Sequence, residues 1–283
     1  MLGALLAAGA AAFTAHAMLV APRRLRVTRI DASIRDLPAA LDGYTIAALG
    51  DLHHGSVLSP TTYVRRAIDL AHAERPDLIA LLGDYALSDP AVPGISRRAY
   101  ERSLRALTPL LGSLRARDGI VAVLGNHDYD YDAAAVAGWL GTLGIRVLVN
   151  DCIRIARGTS ELVVGGVDDY KYGAVDWGGG CGAAPAGVPR IVLSHNPDAV
   201  LALEPDTRVD LILSGHTHGG QVVLPWIGAL ARHSSVCGAR SASGWVPNPR
   251  GAPLYVTTGV GVVLPVRVRC PPEVLIVRLR AAE

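Results

Sequence analysis

The sequence is poor in several things that globular chains commonly have. Aromatic residues make up 5% of its 283 positions, with a single phenylalanine, Phe13, so any core must be built from Leu, Val, Ile and Ala. Lysine occurs once, at Lys171, and every other basic side chain is arginine. Neither sign of charge is in excess: 27 basic residues stand against 25 acidic ones, which argues against a nucleic-acid-binding module. Four cysteines, Cys152, Cys181, Cys237 and Cys270, lie far apart with no CxxC pair. Neither a zinc ribbon nor a thioredoxin motif is therefore available, no disulfide framework is supported, and buried or free thiols are expected. With 50% hydrophobic residues and a net charge of +2, disorder is excluded as the general state.

The absence of charge also has an address. Residues 1–22 contain no Asp, Glu, Lys or Arg, and Arg23, Arg24, Arg26 and Arg29 follow at once. Such a segment, helical at about 1.5 Å per residue, reaches about 33 Å, enough to cross a hydrocarbon core of about 30 Å. Two readings stand: an uncleaved membrane anchor, or a signal segment with Ala15-His16-Ala17 as its small-x-small cleavage site and an exported product. The positive charge comes after the apolar run and not before it, which favours an anchor with the remaining chain on the cytoplasmic side.

Residues 23–44 read as a linker and lead-in, and 45–283 as one domain. From Thr45 onwards, short apolar runs alternate with amphipathic ones. Buried strands are expected at 44–50, 77–83 and 119–125. Helices are expected from Ser59 (N-cap) and Pro60 to about Glu74, from Ser96 to about Arg115, and from Ala133 to Leu143. Strand candidates then crowd at 145–149, 152–157, 161–166, 190–194, 209–213, 254–258 and 273–278. The β-α-β-α-β opening predicts a partly parallel sheet covered by helices, and the strand-rich second half a second sheet packed on the first. Residues 173–189, rich in Gly and Ala, read as a flexible surface loop or linker.

Chemistry-bearing residues sit where the strands end. The apolar runs lead in turn into Asp51-Leu52-His53-His54, Gly83-Asp84, Gly125-Asn126-His127-Asp128, His195-Asn196 and Gly215-His216-Thr217-His218-Gly219-Gly220. In open α/β sheets that edge is where ligands bind. Imidazole nitrogens with carboxylate oxygens suit a pair of borderline-soft divalent metals, and N/O ligation fits Mn, Fe or Zn better than Ca. Asp51 and His53 can chelate one ion, His216 and His218 can reach two neighbouring ions, and Asp84 is the natural bridge. His54 points either to substrate or to solvent. Asp168 and Asp169 either line the site or form a plain turn, and Asn196 is a candidate hydrogen-bonding neighbour of the ligands. Arg267 and Arg269 either meet an anionic substrate or are strand-edge charges. His16, His72 and His233 match no motif.

The ordered set D-x-H, GD, GNHD, a lone His and GHTH resembles the calcineurin-like metallophosphoesterase superfamily, over about residues 45–220. Gly-His-Thr-His-Gly-Gly-Gln, Thr258-Gly259-Val260-Gly261 and Pro265-Val266-Arg267 are similar to the membrane-associated subgroup. The resemblance implies a four-layer α/β/β/α sandwich after an N-terminal apolar segment. It further implies one metal on Asp51, His53, Asp84 and His218, and another on Asp84, Asn126, His195 and His216. His127 is then a catalytic residue and not a ligand, with Asp128 orienting its ring. The expected activity is hydrolysis of a phosphodiester or pyrophosphate bond by a hydroxide bridging two divalent transition-metal ions. Its substrate would be a phosphorylated small molecule or a lipid-linked one such as UDP-2,3-diacylglucosamine, brought close by the membrane segment. The alternatives are a catalytically silent scaffold on the same fold, or a phosphodiesterase of nucleotides or nucleic acid; no nucleic-acid partner is expected.

Overall fold

The computed structural model describes residues 1–56, 59–87, 96–182 and 184–282. The chain opens with a helix, α1 (Leu2–Ala15), continued by short helical turns to Arg23. One sheet is then started by β1 (Arg26–Ile34), β2 (Thr45–Leu49), β3 (Leu78–Leu81), β4 (Ile120–Ala122) and β5 (Arg146–Val147). Between these strands run α2 (Thr61–Ala73), α3 (Arg97–Leu111), α4 (Asn126–Tyr131) and α5 (Ala133–Thr142). A second sheet begins with β6 (Asp151–Arg157), β7 (Ser160–Gly166), β8 (Arg190–Ser194) and β9 (Leu211–Ser214). A small hairpin follows, β10 (Val223–Leu224) and β11 (Gly228–Ala229). The strands β12 (Gly244–Trp245) and β13 (Leu254–Val256) return to the second sheet, and β14 (Glu273–Ala281) returns to the first. The orders are β1-β14-β2-β3-β4-β5 and β12-β13-β9-β8-β7-β6.

The central strands read as unbroken apolar runs because both of their faces are buried. Ala47, Leu49, Ile79 and Leu81 pack against Val64, Ile68, Leu107 and Leu111 of α2 and α3. The alternate residues Ile46, Ala48, Leu78 and Ala80 meet Leu162, Val164, Leu193 and Leu213 of the second sheet. On that sheet's far side Val192, Ile212 and Val256 are covered by Trp177, Cys181, Ala199 and Val200. Two facing sheets with helical elements on both flanks are therefore borne out, and the outer flank is made of short turns such as Pro197–Ala202 rather than long helices. All four cysteines are free thiols, as expected.

Four expectations need correction. Residues 23–44 are not merely a lead-in, since β1 pairs in parallel with β14 from Arg26↔Glu273 to Ile34↔Ala281. The last strand belongs to the first sheet, inserted between β1 and β2. Ser59 does not cap α2: its hydroxyl donates to the Leu52 carbonyl at 2.6 Å, and the helix starts one residue after Pro60. The 173–189 stretch is packed where described, because Trp177 and Cys181 are buried against the second sheet and the Trp177 indole N–H donates to the Ala199 carbonyl at 3.1 Å. Residue 183 of that stretch, and residue 283 at the expected domain end, lie outside the described residues.

Leu193, wholly buried between the sheets, measures how much this interface matters. Leu193→Ala should lower the unfolding free energy by about 2–5 kcal/mol, the cost of lost burial plus the cavity left behind. Denaturant titration of the two proteins checks it, and a loss below about 1 kcal/mol would mean the sheets repack freely around the gap.

Candidate metal centre

Five loops at the carboxyl ends of β2, β3, β4, β8 and β9 meet at one edge where the two sheets face each other. They carry Asp51 and His53, Asp84, Asn126, His195, and His216 with His218, and six of these seven are buried. Five of the seven, Asp51 (φ 54°), His53 (42°), Asp84 (56°), His216 (71°) and His218 (50°), have left-handed backbone. That conformation costs an L-residue about 1–2 kcal/mol, and it turns each side chain inward immediately after its strand.

The side chains form two sets that share Asp84. In the first, His53 Nε2 lies 3.0 Å from His218 Nε2 and 3.6 Å from Asp84 Oδ2, while His218 Nε2 is 3.7 Å from Asp51 Oδ1. In the second, His195 Nε2 lies 3.3 Å from Asp84 Oδ2, 3.2 Å from Asn126 Oδ1 and 3.3 Å from His216 Nδ1. Carbonyl partners fix two tautomers: His195 Nδ1–H donates to Leu82 O at 2.7 Å and His216 Nε2–H to His233 O at 3.0 Å. The remaining ring nitrogen of each is thereby aimed at the centre, the arrangement that metal-ligating histidines use.

The electrostatics agree with a cation site. Burial lowers His53 and His216 to about 3, so both are neutral donors at pH 7. Burial, with Asp84 beside it, pushes the Asp51 carboxyl up to about 7. Burial also works against charge on His195, but Asp84 and Asp51 hold its imidazolium up to about 10. His195 in turn keeps Asp84 well below the usual carboxylate range, against the effect of burial. On protein groups alone, the proton on His195 is the positive charge at the centre of these oxygens and nitrogens. A divalent ion bound there would replace that proton and leave His195 Nε2 free to act as a ligand.

The backbone leaves room for these groups and little more. A Cβ on Gly125 would lie 2.2 Å from Asp84 Oδ1, and one on Gly259 (φ 72°) would lie 2.8 Å from the Asp51 Cβ. The donor set and this cradle fit two divalent transition-metal ions. Beside them opens a cavity of about 770 Å³, lined by His127, Asp130, Tyr170 and Lys171 and by the apolar Val263 and Leu264.

Several neighbours differ from expectation. Asp128 does not orient His127. Its buried carboxylate accepts from the N–H groups of Asp84 (2.8 Å), Tyr85 (3.1 Å) and Gly125 (2.8 Å) and from the Tyr100 hydroxyl (2.8 Å). It therefore clamps the Asp84 loop to the start of α4. Among the described residues, Asp130 places a carboxylate beside the His127 ring, with Oδ2 3.4 Å from Nδ1, a neighbour that the GNHD motif does not contain. His54 faces neither substrate nor solvent, since it is buried with Nε2 3.0 Å from Thr61 Oγ1. His233 is not incidental: its carbonyl orients His216 and the residue lines the cavity. Asn196 accepts from the Asp198 N–H at 2.9 Å, and Asp168 and Asp169 cap the turn that carries Lys171.

Arg267 is neither a substrate contact nor an edge charge. It is fully buried, and its guanidinium donates to the carbonyls of His218 (3.1 Å), Cys270 (3.3 Å), Thr258 (2.9 Å) and Gly261 (2.8 Å). The Pro265-Val266-Arg267 motif marked the residue but not this duty, because its partners are backbone oxygens scattered over fifty residues.

Comparison with known proteins gives a consistent picture. Residues 44–220 match the calcineurin-like phosphoesterase family. The phosphodiesterase YaeI of Escherichia coli K12 is 32% identical over 243 residues, covering 83% of this chain and 82% of that protein. The metallophosphoesterase YkuE of Bacillus subtilis 168, itself uncharacterised, is 29% identical over 94% of this chain and 89% of its own length. A zebrafish transmembrane protein with a metallophosphoesterase domain is 28% identical over 96% of this chain and 61% of that protein. Among solved structures, a dimetal phosphatase from Danio rerio aligns with a TM-score of 0.46 and 14% identity, covering 77% of this chain and 88% of that one.

The separate duties of the two acidic neighbours can be tested. Asp128→Asn puts an amide NH2 where four donors converge, and should cost about 1.5–3 kcal/mol of stability, the worth of hydrogen bonds to a charged acceptor. Asp130→Asn should leave the unfolding midpoint unchanged and lower turnover. Thermal unfolding and single-substrate kinetics on both variants decide the matter, and the reverse pattern would return the His127 role to Asp128.

Proposed function

The chain belongs to the calcineurin-like phosphoesterase family and is a metal-dependent phosphoester hydrolase, and from that premise we propose that it cleaves a phosphodiester or diphosphate bond at a two-metal centre beside a membrane. The observation that carries this reading is the pair of converging donor sets sharing Asp84 at the floor of the cavity. One ion would be held by Asp51, His53, Asp84 and His218, the other by Asp84, Asn126, His195 and His216. Ions bound there would supply Lewis acidity to the phosphoryl oxygens and would acidify water for in-line attack on phosphorus.

The remaining steps belong to the chain's own side chains. His127 lines the cavity with the Asp130 carboxylate 3.4 Å from its ring, and its backbone N–H donates to Asp84 Oδ1 at 2.9 Å. It is placed to give a proton to the departing oxygen. Lys171 lines the same cavity, with its ammonium 4.6 Å from the Tyr172 ring centre, and is placed to meet the negative charge of a phosphoryl group. The Val263–Leu264 pair suits an apolar group on the substrate, which supports a lipid-linked diphosphate of the UDP-2,3-diacylglucosamine kind. The helical run Leu2–Arg23, long and apolar enough to cross a membrane, supports an anchored enzyme with its catalytic domain at the cytoplasmic face. The completeness of the donor set speaks against a silent scaffold.

Metal content and turnover separate the roles. Reconstituted protein should bind two ions by elemental analysis, and loading at pH 7 should release protons as His195 becomes a ligand. His127→Ala should keep both ions and lose about 10²–10⁴-fold in kcat on bis(p-nitrophenyl) phosphate with Mn²⁺, the usual worth of a positioned acid. His216→Ala should lose metal together with activity. If the two variants retain metal equally, His127 and His216 do not play different parts.

A further inference from the structure

The N-terminal helix is fastened to the domain in a way that a bilayer cannot ignore. The 14 residues of α1 have no buried member, whereas Ala17 and Pro22 just beyond are buried against the domain. The Ala17 carbonyl accepts from the Arg267 N–H at 2.9 Å, and the Pro22 carbonyl from the Tyr63 hydroxyl at 3.0 Å. At about 1.5 Å per residue the free part reaches about 21 Å, short of a hydrocarbon core of about 30 Å. The full 22-residue run Leu2–Arg23 reaches the far side, but only if its last turns also lie at membrane depth. Whatever is bonded to those turns is then held against the lipid.

The partners bonded there are Tyr63 of α2 and the loop ending at Arg267, and the loop is the one that reaches the cavity. The loop ending at Arg267 carries Leu264, which is 62% exposed and lines the catalytic cavity. The Gln221 side-chain amide donates to the carbonyls of Leu264 (2.8 Å) and Val266 (2.9 Å), and Val223 N–H donates to Val268 O at 3.0 Å. Through these bonds the loop holds the β10–β11 hairpin, whose tip is Trp226 and Ile227. Trp226 is 90% exposed at φ 65°, an uncommon backbone for a bulky residue, and Ile227 and Leu230 are exposed beside it. Next to the hairpin lies a groove of about 310 Å³ lined by Arg26, Arg240 and Arg269. Its one acid, Glu273, is engaged by the Thr28 hydroxyl and the Thr258 N–H, while Arg240 donates to the Trp226 carbonyl at 3.2 Å.

We propose that the Trp226–Ile227 tip, Leu264 and the Arg26–Arg240–Arg269 groove form one docking face for an anionic lipid bilayer around the foot of the N-terminal helix. Tryptophan at headgroup depth and arginine beside anionic headgroups are the residues such a surface selects. Since Leu264 belongs both to this face and to the cavity, the cavity opens at the lipid surface, and its substrate class is an amphiphile presenting its phosphoester at headgroup level. That last step rests on the hydrolase reading; the docking face does not.

The full chain in phosphatidylcholine–phosphatidylglycerol vesicles with acyl chains brominated near the headgroup tests the face without using activity. Bromine should quench part of the tryptophan emission, and that part should vanish in Trp226→Phe; equal quenching in both proteins overturns the proposal, as does N-terminal sequencing that finds the helix removed. In the full-length double variant Trp226→Asp/Ile227→Asp, turnover of bis(p-nitrophenyl) phosphate should be unchanged. Turnover of vesicle-embedded hexadecyl p-nitrophenyl phosphate should fall about tenfold, as expected when interfacial apolar contact is lost. No fall, or an equal fall on both substrates, overturns it. A wild-type chain inactive on the soluble diester would instead refute the hydrolase reading, and the quenching result would still decide the docking face.

Discussion

Two buried carboxylates side by side must find positive charge, and most of this molecule is arranged around that requirement. Asp51 and Asp84 are buried at the meeting edge of two sheets, where an unpaired anion is costly. Arg267, whose charge reaches Asp51, does not pair with either; its guanidinium is spent on loop carbonyls. The positive charge is left to a removable group, the proton of His195 or an ion in its place. A site that neutralised itself with an arginine would have no such vacancy to offer a metal. The left-handed turns that present Asp51, Asp84 and the histidines persist because the packed sheets behind them leave the loops no relaxed alternative.

Much of this was legible in the residue order, and the reason is physical. A strand buried on both faces reads as a plain apolar run, as in Asp77 to Gly83, so its end is visible and the polar residue that follows stands out. That is why these strand-end residues could be singled out before their geometry was known, whereas the division into seven candidate ligands came from the family resemblance. What was not legible follows from the same logic. β1 carries Arg26, Arg29 and Asp31 on a half-exposed edge, and only the spacing of Ile30, Ala32 and Ile34 betrays a buried face. A short alternation among charges looks like a tether unless its partner, β14 at the other end of the chain, is considered.

Side-chain duties proved harder to read than positions. Asp128 follows His127 directly, yet neighbours in a helical turn point in different directions, so the adjacent acid turns to the loop of Asp84. Asp130, three residues on, shares the ring's face. Arg267 shows the limit from the other side. An arginine whose partners are carbonyls at 218, 258, 261 and 270 has no local signature, and its burial depends on how four loops close over one another.

The place of β14 sets an order on assembly. It lies between β1 and β2, pairing with residues more than two hundred positions earlier, so the first sheet cannot close until almost the whole chain has been made. During synthesis the β2 edge is an open template, and the loop bearing Asp51 lacks the Gly259 and Gly261 contacts that arrive just before β14. The hydrolytic centre is therefore a late product of folding. An apolar helix that enters a membrane early would hold the unfinished domain apart from other nascent chains during the interval when its edge is bare.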